Sequence, residues 1–324
     1  MIMSAGLGKR LRPFTSDIPK ALMPVMGVPV IQFAIDALKN SGINKTFINY
    51  HHLPERSVHG LTHLDFNGLD FELSDESDNL MGSGGGVKKV IPRLGENPFL
   101  LLNADCLFSL NPKTLMERHL LLKKTKDVKV TLAIGCLGSK DQAYQEMLLD
   151  KNTGLITGLG EFKEKSNYYL GWAIIEPEVF NNLSDQEPFG LVEQVFLPAI
   201  NNNQAGFYFC ENETWIDIGS PSLWWKAHMH MVHKRNELPN EWKKRIESTN
   251  VHLAENIWVN KEVKEQTTDL SWQAPCYWNG SKDYMPPNEM GPNAFYYGNE
   301  ELLKSNNKLS DGIGMNEHWV SIKD

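Results

Sequence analysis

The sequence has little of what would tie a chain to an oxidising compartment, a bilayer or a nucleic acid. Its four cysteines, Cys106, Cys136, Cys210 and Cys276, lie far apart and form no Cys-x-x-Cys pair. Such spacing argues against a zinc site or a disulfide frame, and for small buried apolar side chains in a reducing compartment. No stretch approaches the roughly 20 apolar residues that cross a membrane. The N-terminus reaches Lys9, Arg10 and Arg12 without the apolar core of a signal peptide, so a soluble, cytoplasmic protein is expected. Positive charge is not in excess either. Forty acidic against 32 basic side chains leave a net charge of -8, and the broad basic footprint that a nucleic-acid backbone demands is missing.

What is present is a long, well-populated chain: 324 residues, 41% of them apolar, more than one core of ordinary size needs. Ile2 to Ala5 is a short apolar stretch that runs at once into the Gly-rich, basic Gly6 to Pro13, a strand entering a loop. Apolar positions 30, 31, 34, 35 and 38 follow helical spacing. Asn40-Ser41-Gly42 then stops the helix before the extended run Thr46 to Tyr50. The alternation continues through Phe71-Glu72-Leu73, a Gly-rich turn at 82 to 86, a short helix over 87 to 91 and the buried strand Phe99 to Asn103. Further strands are expected at 128 to 134, 169 to 175 and 206 to 209, and a helix at 192 to 200. Strands alternating with helices predict an α/β fold, a Rossmann-like and mostly parallel sheet with helices on both faces, over residues 1 to 235.

Residues 236 to 324 differ in texture. A charged helix over 237 to 248 precedes a stretch rich in Trp, Asn, Gly and Pro. The segments 275 to 280, 291 to 298 and 255 to 259 resemble rungs of a hexapeptide β-helix. The extension is read as a degenerate left-handed β-helix or as an irregular aromatic-rich appendage, and in either form as a candidate interface between copies.

The first 20 residues hold Lys9, Arg10, Arg12 and Lys20 against one carboxylate, Asp17, in a chain that is acidic overall. Gly6 and Gly8 let the main chain approach a ligand closely, so that successive N–H groups can face phosphate oxygens while Arg10 offers forked donors. Two familiar phosphate loops do not fit. A dinucleotide fingerprint needs a small residue where Leu11 stands, and a Walker loop needs Gly at 3 and Ser or Thr at 10, where Met3 and Arg10 are found.

The segment Gly6-Leu7-Gly8-Lys9-Arg10-Leu11-Arg12-Pro13-Phe14-Thr15, then Pro19-Lys20 and Pro24, resembles the signature of the sugar-1-phosphate nucleotidyltransferases, the nucleoside-diphosphate-sugar pyrophosphorylases. The resemblance extends through Gly82 to Gly86, Asn103-Ala104-Asp105, Tyr169 to Trp172 and Trp215 to Ser220. It is strongest toward mannose-1-phosphate guanylyltransferases. It implies attack of a sugar phosphate oxygen on the α-phosphorus of a nucleoside triphosphate, with pyrophosphate leaving in line. Asp105 and Asp217, each following a short apolar strand, would hold Mg²⁺, which commonly uses one or two protein carboxylates. Arg10 would bind the outer phosphates and Lys20 a phosphate near the reacting centre. Ala5, Gly6, Gly8, Ser83, Gly84 and Gly85 would bind the nucleotide, the last three through main-chain groups at the base edge. A second lysine, Lys163 or Lys165, would grip the sugar phosphate, with Gly171 against the sugar ring. A base-reading side chain would fall at Met81 or Gly82. An already ionised phosphate needs no general base, so no nucleophile is assigned.

The resemblance leaves other activities open: uridylyl or thymidylyl transfer to a different sugar phosphate, cytidylyl transfer to a phosphorylated alcohol, or a non-catalytic subunit that binds a nucleotide sugar. The three imidazoles of His228, His230 and His233 cannot all share one helix face, and are expected to play a structural or solvent role.

Overall fold

A computed structural model describes residues 1–137, 145–161, 165–184 and 187–250 continuously. Beyond these it describes the strand segments 251–254, 257–260, 271–272, 276–280, 289–290, 294–298, 308–309, 312–315 and 318–321. By packing, the chain forms two compact units. The first comprises 1–6, 34–104 and 108–215; the second comprises 7–33, 105–107 and 216–324.

The first unit is built on a nine-stranded sheet of β1 (Ile2–Met3), β2 (Lys45–Tyr50), β3 (Asp70–Asp75), β4 (Phe99–Asn103), β5 (Val130–Leu137), β6 (Glu146–Asp150), β7 (Leu155–Gly160), β8 (Ser166–Ile175) and β9 (Ala205–Phe209). Their order across the sheet is β3-β2-β1-β4-β8-β5-β9-β7-β6. All run in one direction except β7 and β8, so the sheet is mostly parallel. β4 is the continuous apolar run that burial on both sheet faces demands, with Leu101 and Leu102 fully inaccessible. Helices α1 (Val30–Asn40), α2 (Pro54–Thr62), α3 (Gly82–Leu94) and α4 (Pro112–Lys126) follow β1, β2, β3 and β4 in the chain, and the short helix Leu197–Asn201 packs against β7. α1 ends where expected: the Ser41 hydroxyl donates to the Leu38 carbonyl, and Gly42 takes φ +78. Sheet and helices together form the α/β, Rossmann-like architecture that the alternation predicts.

One local expectation is corrected. Residues 82 to 86 are not a turn before a short helix; they are the first turn of α3, with Gly84, Gly85 and Gly86 buried. Glycine is a poor helix former, which is why the sequence pattern reads as a turn. The reason for it here is contact. A Cβ on Gly84 would lie 2.3 Å from the Phe189 ring, and one on Gly86 would lie 2.5 Å from the Glu76 carboxylate.

The second unit carries the segment after β1, the helices Pro221–His233 and Asn240–Thr249, and the C-terminal strands. Strands Ile257–Asn260, Cys276–Gly280, Ala294–Gly298 and Gly312–Met315 pair in parallel and recur every 18 or 19 residues. A second set at 271–272, 289–290 and 308–309 pairs in parallel at the same interval. The described parts of the three candidate rungs, 257–259, 276–280 and 294–298, are strands of this coil, and the rest of each lies outside the described residues. Its register stacks Trp258, Tyr277, Phe295 and Ile313 in one buried column.

His228 packs against that column, its ring centroid 4.9 Å from Phe295 and 5.6 Å from Trp224, with Nδ1 2.8 Å from the Trp224 carbonyl oxygen. Burial lowers its pKa from 6.5 to about 3. Between those values the unfolded chain holds a proton that the folded chain does not, so stability present above pH 6.5 is lost as pH falls. Acidification from pH 7 to pH 5 should therefore cost about 2 kcal/mol at this residue. His228→Phe should flatten the dependence of the urea midpoint over that range, and an undiminished slope would show that His228 is not its source.

Candidate active site

Residues 8 to 23 have no long regular element, yet they are firmly seated in the second unit. Gly8 adopts φ +61 and heads the 3-10 turn Lys9–Leu11, closed by the Leu11 amide donating to the Gly8 carbonyl. The Thr15 hydroxyl donates to the same carbonyl at 2.8 Å, and a Cβ at Gly8 would sit 2.9 Å from the Thr15 methyl. Both the dihedral and the space therefore call for glycine at this position. Two further 3-10 turns follow, Phe14–Ser16 and Lys20–Leu22. Leu11, Phe14 and Met23 point into the core of the unit, and Phe14 meets Trp224 edge to face at 5.1 Å. Lys9, Arg10 and Arg12 stay exposed. A flexible basic loop would let its charges wander; this one fixes them.

The two aspartates reach the same unit on adjoining short strands. Cys106–Phe108 pairs with Trp215–Asp217, and the Ile218 amide donates to the Asp105 carbonyl at 3.4 Å. Lys20 Nζ makes an ion pair with the Asp105 carboxylate at 2.5 Å, its side chain only 11% exposed. Asp217 is buried, and one of its oxygens accepts the Gly219 amide at 2.8 Å. A Cβ on Gly219 would lie 2.9 Å both from Arg10 Nη2 and from an Asp217 oxygen. Arg10, Lys20, Asp105 and Asp217 thus lie in one unit, Lys20 paired with Asp105 and Arg10 beside the Asp217–Gly219 turn. Among the described residues no group of three or more His, Cys, Asp or Glu assembles into a metal cluster.

The remaining expected residues lie in the first unit, or outside the described residues. Ala5 is buried just after β1, and a Cβ on Gly6 would meet nothing within 4 Å. The groups of Ser83, Gly84 and Gly85 are engaged within the protein. The Gly84 and Gly85 amides donate to the Phe189 carbonyl at 2.9 and 3.4 Å, and the Ser83 hydroxyl accepts the Leu191 amide at 3.0 Å. Gly171 takes φ +87, with a Cβ there only 2.8 Å from the Asn103 amide nitrogen; this is a close approach that glycine alone permits. Lys165 is exposed at the turn before β8, whereas Lys163 lies outside the described residues.

Phe189, Glu76 and Asn49 carry no recognisable sequence signal: Phe189 and Glu76 belong to irregular segments without periodicity, and Asn49 lies near the end of β2. Asn103 and Gly219 fall within the resemblance, but only their neighbours in space show what is asked of them: Asn103 lies against Gly171, and Gly219 has no room for a side chain.

A Rossmann-like α/β protein with an immobilised glycine-containing cationic loop and two strand-end carboxylates is a phosphate-handling protein of the nucleotide-binding class. The chain belongs to the nucleotidyl transferase family, whose model matches residues 1–234. It is 25% identical over 300 residues to a UTP–glucose-1-phosphate uridylyltransferase of Synechocystis, covering 86% of this chain and 73% of the relative. Over 240 residues it is 28% identical to the D-glycero-alpha-D-manno-heptose 1-phosphate guanylyltransferase of Aneurinibacillus thermoaerophilus, covering 72% of this chain and 98% of that protein. The fold is shared with the crystal structure of HddC from Yersinia pseudotuberculosis complexed with GMP-PN. That match has a TM-score of 0.60 and 18% identity, over 71% of this chain and 97% of that one. No described helix is long and apolar enough to cross a membrane.

Gly219→Ala should press a methyl group between Arg10 and Asp217. The expected result is a fall in nucleotidyl-transfer kcat/KM of about 10- to 100-fold with the thermal midpoint little changed, read from steady-state kinetics and a melting curve side by side. Wild-type kinetics in this variant would remove Gly219 from the site.

Proposed function

We propose that the protein joins a nucleoside triphosphate to a sugar 1-phosphate, giving a nucleoside-diphosphate sugar and pyrophosphate, and that its preferred pair is GTP and mannose 1-phosphate. The observation that carries the reading is the gathering of Arg10, Lys20, Asp105 and Asp217 in one unit beside the Gly8 turn. Two anions must meet for this reaction, and positive charge fixed in advance costs no reorganisation when the transition state forms. Arg10, exposed and forked, suits the outer phosphates and the departing pyrophosphate. Lys20, held against Asp105, suits the phosphate nearest the reacting centre. The sugar phosphate is itself the nucleophile, so the residues orient and neutralise rather than exchange protons.

The donor chemistry suits Mg²⁺: Asp105 and Asp217 would supply hard carboxylate oxygens, with phosphates and water completing the shell that this ion prefers. When bound, the ion would spread charge across the reacting phosphates. Ser83, Gly84 and Gly85 would take the base once the Phe189 segment yields their main-chain groups. Gly171 would pack on the sugar ring, and Lys165 or Lys163 would take its phosphate.

The guanylyl and mannosyl preference is supported by relatives named mannose-1-phosphate guanylyltransferase, such as one from Arabidopsis thaliana that is 26% identical over 232 residues, and by the parallel coil of the C-terminal strands. The Synechocystis relative makes UTP with glucose 1-phosphate the competing pair. Pyrophosphate release measured with four nucleoside triphosphates against several sugar 1-phosphates and a phosphorylated alcohol decides among them, with turnover expected to be highest for GTP and mannose 1-phosphate. A folded preparation inactive with every pair would overturn the reading. Asp105→Asn should lower kcat by at least about 100-fold in a protein that still folds, and undiminished turnover would remove Asp105 from the reacting centre.

A further inference from the structure

The ends of β1, β2 and β3 lie side by side, in register Met3 with Asn49 and Asn49 with Ser74. From them a chain of hydrogen bonds, buried at its Asn49–Glu76 link, runs across the edge of the sheet. The Ser4 amide donates to Asn49 Oδ1 at 2.7 Å, and the Ser4 hydroxyl donates to the Asn49 carbonyl. Asn49 Nδ2 donates to Glu76 Oε1 at 2.7 Å, and Glu76 Oε2 accepts the Met81 amide at 3.2 Å. Asn49 and Glu76 are 0% and 2% exposed. The line therefore starts two residues before Gly6 and ends at the residue that precedes α3, whose first turn holds Ser83, Gly84 and Gly85.

A carboxylate buried to this degree is expensive, and burial raises the Glu76 pKa. An apolar residue would fill the space more cheaply if filling were its whole use. Instead its two oxygens each hold a different donor, one on the strand beside the phosphate loop and one at the head of the glycine helix. The fit is close enough that a Cβ on Gly86 would lie 2.5 Å from Glu76 Oε1 and 2.9 Å from Asn49 Nδ2. Such a link sets a distance. A ligand held both at the Ser4–Gly6 end of that line and at the glycine helix would feel that distance, whereas one held by the cationic side chains alone would not.

We propose that Asn49 and Glu76 are positioning residues for the nucleoside triphosphate, a buried strut that holds the head of the glycine helix at a fixed place relative to the start of the phosphate loop. The proposal rests on the nucleotidyltransferase reading above and assigns the strut to recognition of nucleoside plus phosphates together, not of phosphate alone.

Glu76→Gln tests it, because a carboxamide of the same size can accept from only one of the two donors and turns its own NH₂ toward the other. Binding of GTP, UTP and inorganic pyrophosphate to wild type and variant is measured by calorimetry, with circular dichroism and a melting curve for fold. The Kd of the triphosphate bound by wild type is expected to rise about 10-fold while the pyrophosphate Kd stays within twofold. Turnover should show the same split, with KM raised for the triphosphate and not for the sugar phosphate. Gly86→Ala, which crowds the same carboxylate from the helix side, should reproduce the split and serves if Glu76→Gln does not fold. Equal loss of triphosphate and pyrophosphate binding, or no loss of either, overturns the strut. Wild-type protein that binds neither triphosphate nor pyrophosphate overturns the functional reading on which it rests.

Discussion

A cation-rich segment can act as a fixed electrostatic instrument only if something other than its charges holds it down. In residues 8 to 23 that work falls to Leu11, Phe14, Ala21 and Met23, whose buried side chains alternate with the exposed Lys9, Arg10 and Arg12. Leu11, Phe14 and Met23 each contribute about 1.5–3 kcal/mol in favour of the seated loop, more than the mutual repulsion of solvated charges a few ångströms apart removes. Ordering the chain costs entropy once, at folding, so the charged groups need not be ordered again when a ligand arrives. The Lys20–Asp105 ion pair adds direction to this seating, because it ties the downstream end of the segment to the strand that carries the first carboxylate.

The sequence made this arrangement unusually legible at its chemical centre and much less so around it. Gly8, Arg10 and Lys20 stand in one long motif whose concentrated positive charge calls for an anion, whereas Mg²⁺ at Asp105 and Asp217 is what the resemblance implies. The strands 99 to 103, 169 to 175 and 206 to 209 are apolar runs that only a buried sheet can use, and the structure places β4, β8 and β9 there. The failures share one cause. Gly82 to Gly86 reads as a turn because intrinsic propensity disfavours glycine in helices, yet packing against Phe189, Asn49 and Glu76 leaves no room for a Cβ. Asn49 and Glu76 are separated by a helix and a strand, so nothing in a local window announces that they meet.

The hydrogen bonds from Phe189 to the head of α3 carry a related lesson about reading sites from motifs. Main-chain donors at a helix start are a ready anion or base site only while they are unoccupied. Here a carbonyl from a distant segment accepts the Gly84 and Gly85 amides, as the rule that buried polar groups find partners requires. A ligand that uses those amides must offer at least as much as the carbonyl it displaces. Discrimination between ligands at such a helix start resides in an exchange of hydrogen bonds, which is sharper than the filling of an apolar slot.

The C-terminal strands bear on the phosphate loop through packing. One continuous core within the second unit contains Leu11, Phe14 and Met23 from the loop segment, Trp224 and His228-neighbouring residues from the helix Pro221–His233, and Trp258, Tyr277, Phe295 and Ile313 from the coil. The Tyr277 hydroxyl donates to Asn250, and Asn250 donates to the Met26 carbonyl at the hairpin just beyond the loop. Gly27 is obliged to be glycine by the same hydroxyl, which would lie 2.4 Å from a Cβ. Protein interiors transmit small displacements because they are close-packed, so a shift of the coil's aromatic column is felt at Trp224 and through it at Phe14. The extension is thereby part of the wall against which the phosphate loop is held, a role that follows from packing within a single chain and requires no second copy.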